Sequence, residues 1–358
     1  MSTPNSNLAT HTSSARLIRT VDAIAEGLAQ EMERDDNVFV FGLDVDDHKR
    51  IQGSTAGLIE KFGPERCFGT PLSEDAMTGI AIGAAMAGMR PVHVHIRMDF
   101  TLLSVNQLIN MAAKAHYMYN GQVKVPLVVR CMVGRSWGQG AQHSQALHSL
   151  FMHIPGLKVV APTNAYDAKG TLAAAIRDNN PVIFMEHRLF CNMQSYVPEE
   201  AYVVELGKAR TMVEGTDITI VATSHMVVEA VRAAKLLKDI GISATVIDPI
   251  TLRPLDMPAI LESATQTGHL LVVDNAWLMC GTGSEILAQV AERGLPIKVS
   301  RMGFADTPCP TTRCLEDEFY PDARRIAMRA FKMLKPSAPE WLAPADTQPE
   351  ISEFKGPF

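Results

Sequence analysis

The chain has 358 residues, of which 47% are hydrophobic and 20% charged, and its formal net charge is -6. That length suits two domains of ordinary size, and the apolar share is enough for sizeable cores, which excludes wholesale disorder. Acids and bases are interspersed, so the chain shows neither the basic footprint of a nucleic-acid binder nor a basic membrane-binding face.

Residues 1–14 are polar and rich in Ser, Thr and Asn, and read as a disordered lead-in without the apolar stretch of a secretion signal. No apolar run reaches the length of a membrane span, so the expected location is the cytoplasm or an organelle matrix. The six cysteines are scattered without a C-x-x-C pair, as expected of reduced thiols rather than a disulfide framework or a zinc site.

From Ala15 to Arg34 the apolar positions Ile18, Val21, Ile24, Leu28 and Met32 have helical spacing. The run 38–42 ends in glycine and reads as a buried parallel strand, with Asp44, Asp46 and Asp47 in the loop at its carboxyl end. A short helix is expected from Thr55 to Phe62. Glu74 and Asp75 then open a helix that runs to Gly88 and is apolar or small on nearly every face. Such a helix has no wet side and is expected to be buried all round. Two readings of its acids stand side by side: carboxylates capping a helix dipole, or a Glu74 aimed into a dry cleft to handle a ligand's proton.

The strand 91–96 places His93 and His95 on one face, as core or interface histidines without an evident third metal ligand. A long helix is expected over 102–119 and a strand over 125–130. The loop that follows carries Gly134, Gly138, Gly140 and His143, but its glycines match no phosphate-binding fingerprint. A strand at 157–162, a helix at 167–177 and a strand at 181–186 complete a first doubly wound α/β domain over 15–190. Residues 191–212 lose that rhythm and read as a connecting segment. Alternation resumes over 213–335 as a smaller α/β domain, and 336–358 reads as a surface tail.

Several stretches, in order, resemble the β subunit of the thiamine-diphosphate-dependent decarboxylase of 2-oxo acid dehydrogenase complexes, the pyruvate dehydrogenase type, from about residue 15 to 335. They include Phe68-Gly-Thr-Pro-Leu-Ser-Glu74, Asp99-Phe100, Gln107-Leu-Ile-Asn110, Ala141-Gln-His-Ser-Gln145, Pro155-Gly-Leu-Lys-Val-Val160 and Ala175-Ile-Arg-Asp-Asn-Asn-Pro181. The resemblance implies a transketolase-like pyrimidine-binding domain and a transketolase-type C-terminal domain. It gives Glu74 the task of activating the cofactor's aminopyrimidine, has Phe100 pack on that ring, and sets His143 beside the reacting centre. Asp44 falls at the cofactor-binding loop. The resemblance also implies a structural potassium ion on backbone carbonyls of Leu127, Ala175, Ile176, Asp178 and Asn180.

The chain contains no Gly-Asp-Gly, the segment that normally holds the magnesium and diphosphate of the cofactor. The resemblance therefore implies a separate α subunit carrying that motif and its magnesium, an α2β2 assembly, and a lipoyl acyltransferase core as acceptor. Leu43 replaces a usual acid, Leu103 a common Gln, and Arg97 is an added cation. These departures point to a variant member taking a more anionic or differently shaped substrate. Two alternatives remain open: the C-terminal half of a split transketolase-like enzyme, and a silent scaffold.

Overall fold

The computed structural model describes residues 16–135 and 138–345, so the lead-in and the end of the tail lie outside the described residues. The first domain is built on a seven-stranded sheet in the order Thr251–Arg253, Lys158–Val160, Val182–His187, Val128–Val133, Arg90–His95, Val38–Gly42, Cys67–Gly69. All neighbours are parallel except Thr251–Arg253. The interior strands are buried and mostly apolar because both sheet faces are covered, with His93, His95, Arg130 and Glu186 among the polar exceptions. Alternation divides them cleanly: Val38 and Val40 join Val21, Ile24, Leu28 and Leu172 on one face, and Phe39 and Phe41 join Ala81, Ile82 and Leu108 on the other. Helices Thr20–Arg34 and Ala165–Arg177 cover the first face, and the helix Glu74–Met86 lies on the second.

The second domain has a five-stranded sheet in the order Lys298–Phe304, His269–Trp277, Ile218–Ala222, Ala244–Asp248, Arg210–Val213, the last antiparallel. Helices Met226–Lys238 and Ala323–Leu334 pack on one face, Met257–Thr267 and Thr282–Glu292 on the other. The chain is therefore α/β with two doubly wound domains, as its strand–helix alternation predicts.

The helix Glu74–Met86 differs from expectation. Only Thr78, Ala81, Ile82 and Ala85 are buried, while Ile80 is 57% and the preceding Leu72 80% exposed. One chain covers one face of this apolar helix and leaves the other bare. The helix expected over 102–119 is broken into a 3-10 stretch Met98–Ser104, a π-helical stretch Gln107–Ala112 and an α-helical end Ala113–Met118. In the first stretch the Thr101 hydroxyl donates to the Met98 carbonyl three residues back, at 2.6 Å, which holds that turn tight.

The segment 191–212 contains two short strands: Gln194–Tyr196 pairs with Leu17–Arg19, and Arg210–Val213 enters the second sheet. Between them, the buried Lys169 ammonium donates to the carbonyls of Pro198, Glu199 and Glu200 and to Glu26, which ties the segment to the first domain.

Candidate active site

Four loops leave the carboxyl ends of Val38–Gly42, Arg90–His95, Val128–Val133 and Val182–His187, the edge where open α/β sheets bind ligands. Gly42 ends its strand at φ +147, and a Cβ there would run into the Val94 carbonyl oxygen, so only glycine lets the first loop turn away at this point.

The fold brings Phe100 and His143 together. They lie on different loops, yet their rings meet edge to face, centroids 5.3 Å apart at 89°. The buried Asp99 secures the pair by accepting from the Gln145 backbone N–H at 3.2 Å and from its side chain at 2.9 Å. Glu74 stands half-buried in the first turn of its helix, and Asp75 is exposed beside it. That helix is tied to the Phe100 segment by Thr78, whose hydroxyl donates to Ser104 at 2.9 Å and lies 3.5 Å from His95 Nε2. Asp44 adopts φ +58 in the first loop, exposed, and its charge acts on Arg97.

Three residues at this edge form a cluster that spacing does not show. Arg97 Nε donates to Gln139 Oε1 at 3.1 Å, and Arg188 Nη1 donates to the same oxygen. Arg188 also donates from Nη2 to the His143 carbonyl at 2.8 Å. Burial, and then repulsion from Arg97, pulls the Arg188 guanidinium down to about 10. Burial lowers Arg97 as well, against the opposing fields of Asp99 and Asp44. The one legible signal for Arg188 is its place just past the strand containing Glu186, at a carboxyl end.

The expected potassium ligands lie at the opposite edge. The carbonyls of Ile176 and Asp178 converge, and Arg90 Nη1 donates to both, at 2.8 and 3.0 Å. The Ala175 carbonyl accepts from Asp178 N–H at 3.2 Å and the Leu127 carbonyl from Val182 N–H at 2.8 Å, while Asn180 N–H donates to the Asp178 carboxylate. That carboxylate titrates below its usual range: burial pushes it up, but hydrogen bonds from Lys158 and Asn180 outweigh this. Of the five, only the Ile176 and Asp178 carbonyls are seen to meet at one point, and the Arg90 guanidinium stands there.

His93 and His95 are both buried with rings 4.4 Å apart, and no group of three or more His, Cys, Asp or Glu side chains among the described residues is placed to hold a metal ion. All six cysteines are free. Among the described residues no helix is long and apolar enough to cross a membrane.

The transketolase pyrimidine-binding domain family matches residues 16–192, and the transketolase C-terminal domain family matches 207–326. The chain is 43% identical over 334 residues to the β subunit of acetoin:2,6-dichlorophenolindophenol oxidoreductase from Cupriavidus necator, covering 90% of this chain and 98% of that one. It is 40% identical over 321 residues to the mitochondrial pyruvate dehydrogenase E1 β subunit from Homo sapiens, covering 87% and 89%. A solved split-gene transketolase, an inactive β4 tetramer, superposes with a TM-score of 0.74 over 89% of this chain and 98% of that one, and at 24% identity this shows the fold alone. The chain belongs to the transketolase-type family that includes the β subunits of acetoin oxidoreductase and pyruvate dehydrogenase E1.

Proposed function

We propose that this chain is the β-type subunit of a thiamine-diphosphate-dependent 2-oxo acid dehydrogenase, decarboxylating its substrate and passing the acyl group to a lipoyl carrier. The observation that carries the reading is the Phe100–His143 contact at the sheet's carboxyl edge, in a chain 40% identical to a pyruvate dehydrogenase E1 β subunit and 43% identical to an acetoin oxidoreductase β subunit. The cofactor, when bound, supplies the electron sink for the carbon that loses carbon dioxide. Glu74, half-buried at the head of its helix, would hydrogen-bond the aminopyrimidine ring of the bound cofactor and favour its imino form. Phe100 offers an apolar face to the pyrimidine. His143, half-buried against Phe100, binds the substrate carboxylate or moves a proton during acyl transfer.

The chain carries no Gly-Asp-Gly, so magnesium and the diphosphate belong to an α subunit in an α2β2 assembly. The bare apolar side of Glu74–Met86, with Leu72 and Ile80 exposed, is surface of the kind an obligate partner covers. Potassium on the carbonyls of Leu127, Ala175, Ile176, Asp178 and Asn180 would brace the loops behind the site.

The test is Glu74→Gln in the chain co-expressed with its α-type partner. Decarboxylation should fall ~10²–10⁴-fold while the α/β complex still assembles on gel filtration. An unchanged rate would overturn the role of Glu74. Tight magnesium-dependent uptake of thiamine diphosphate by this chain alone would overturn the shared site.

A further inference from the structure

The residues on either side of His143 lie between the two domains and divide by parity. Odd-numbered ones meet residues 98–100 of the first domain. The His143 ring stands edge-on to Phe100, Gln145 donates from its backbone and side chain to Asp99, and the Leu147 N–H donates to Met98 Sδ at 3.3 Å. Even-numbered ones meet the second domain. The Ser144 carbonyl accepts from Cys309 Sγ at 3.6 Å, Ala146 is buried among Phe304, Phe319 and Tyr320, and His148 Nε2 lies 2.9 Å from Asp274 Oδ1.

The turn Cys309-Pro310-Thr311 touches this loop both before and after His143. Before it, a Cβ on Gly138 would lie 3.3 Å from the Thr311 carbonyl oxygen, and a Cβ on Gly140 would run into Thr311 Cγ2. After it comes the contact of Cys309 with Ser144, both of them buried. Burial pushes the Cys309 thiol up to about 12, so it keeps the proton that it donates. Pro310 fixes its own φ and stiffens the turn between the two contacts.

Hydrogen bonds and a ring contact draw the loop onto the first domain, and Arg188 Nη2 adds a bond to the His143 carbonyl at 2.8 Å. The turn supplies a wall on the loop's other side. A reacting group ~1 Å out of place can cost ~10²-fold in rate, so such a wall matters to turnover even where it adds little to stability.

We propose that Cys309 and Thr311 are positioning residues for His143: through this turn the second domain sets how the imidazole stands against Phe100 and the reacting centre. The proposal rests on His143 as the substrate-facing group of the reading above, and it gives the second domain a part in the chemistry of the first domain's site.

The experiment uses the assembled α/β complex. Reaction of His143 with diethyl pyrocarbonate, followed by peptide mass spectrometry, reports the imidazole without turnover. Gly140→Ala should change that rate and lower kcat by ~10- to 100-fold. Adding Thr311→Ala removes Cγ2 and leaves the two β-carbons 3.7 Å apart, an ordinary contact, so the double variant should recover most of both. The strain of alanine in a left-handed backbone is common to the single and double variants, so the recovery reports the second domain's contact alone. Unchanged His143 reactivity, or a loss of kcat without recovery, would overturn the proposal. Cys309→Ala leaves Gly140 untouched. It should lower kcat in the otherwise unaltered enzyme and have no further effect beside His143→Gln, because nothing is left to position. Equal losses in both backgrounds would mean that Cys309 only stabilises the fold, and would overturn its part. His143 reactivity that shifts and recovers as described, with turnover indifferent to every variant including His143→Gln, would uphold the positioning and overturn the catalytic reading of His143.

Discussion

His93 and His95 show what burial does to a single ionisable side chain. His93 stacks on Phe41 at 4.6 Å and meets His95 edge-on at 4.4 Å, both beneath the helix that carries Glu74. Burial pushes His93 down to about 4 from its ordinary 6.5, and His95 also falls well below that value. A histidine held neutral in the fold binds fewer protons than the unfolded chain between those two values. The stability it preserves is therefore complete above about pH 6.5 and lost as pH falls towards 4. For His93 alone the loss is on the order of 3 kcal/mol. Urea titrations at pH 7.5 and 4.5 should show the midpoint falling, and His93→Phe should reduce the drop; a pH-independent midpoint would refute the assignment. Strand alternation was enough to place these two rings on one face. It could not disclose Arg188 or Gln139, which come from two loops, 49 residues apart, and meet only once the sheet has formed.

Among the elements, interior strands were the most legible, because burial on both faces forces a continuous apolar run whatever the surroundings. The strand expected at 125–130 forms instead at Val128–Val133, since Pro126 has no N–H for the ladder and Val125 donates to the Asn179 carbonyl before the pairing begins. Two antiparallel edge strands were not legible: Thr251–Arg253 and Arg210–Val213 are short, and their pairing is decided by the neighbouring strand. The turn after Ala165–Arg177 carries a prediction of its own. Arg90 and the proposed potassium both use the Ile176 and Asp178 carbonyls. Replacing potassium by Tris as the sole buffer cation should lower the melting temperature. Arg90→Gln, which removes one of the two cations, should make the dependence on potassium steeper. A melting temperature indifferent to potassium in both proteins would assign the bracing to Arg90 alone.

At the scale of the whole molecule the two domains are fastened by several buried contacts. His148 Nε2 lies 2.9 Å from Asp274 Oδ1, and both are buried. Burial would raise Asp274, yet His148 and the donors Thr223 and Thr282 hold its carboxyl below the usual range. Arg210 forms an ion pair with the buried Asp167, and Gly140 at φ +61 lets the His143 loop lie against Thr311. The loop that shapes the first domain's site thus rests on the second. None of these pairings could be read from spacing, because each joins residues at least 43 positions apart that meet only once both sheets have formed.

The borrowed edge strand has a practical consequence. Thr251–Arg253 closes the first sheet beside Lys158–Val160, and the Ala161 N–H donates to the Ile250 carbonyl at 2.8 Å. A polypeptide cut after residue 200 would keep the helices and strands of the first domain but bare a row of unsatisfied backbone groups along an apolar margin. Such a margin invites sheet-to-sheet pairing between molecules. That fragment should aggregate as it is made and regain solubility when residues 245–256 are supplied on a fused linker, as light scattering would show. A clear, monomeric fragment without that addition would mean that the margin protects itself.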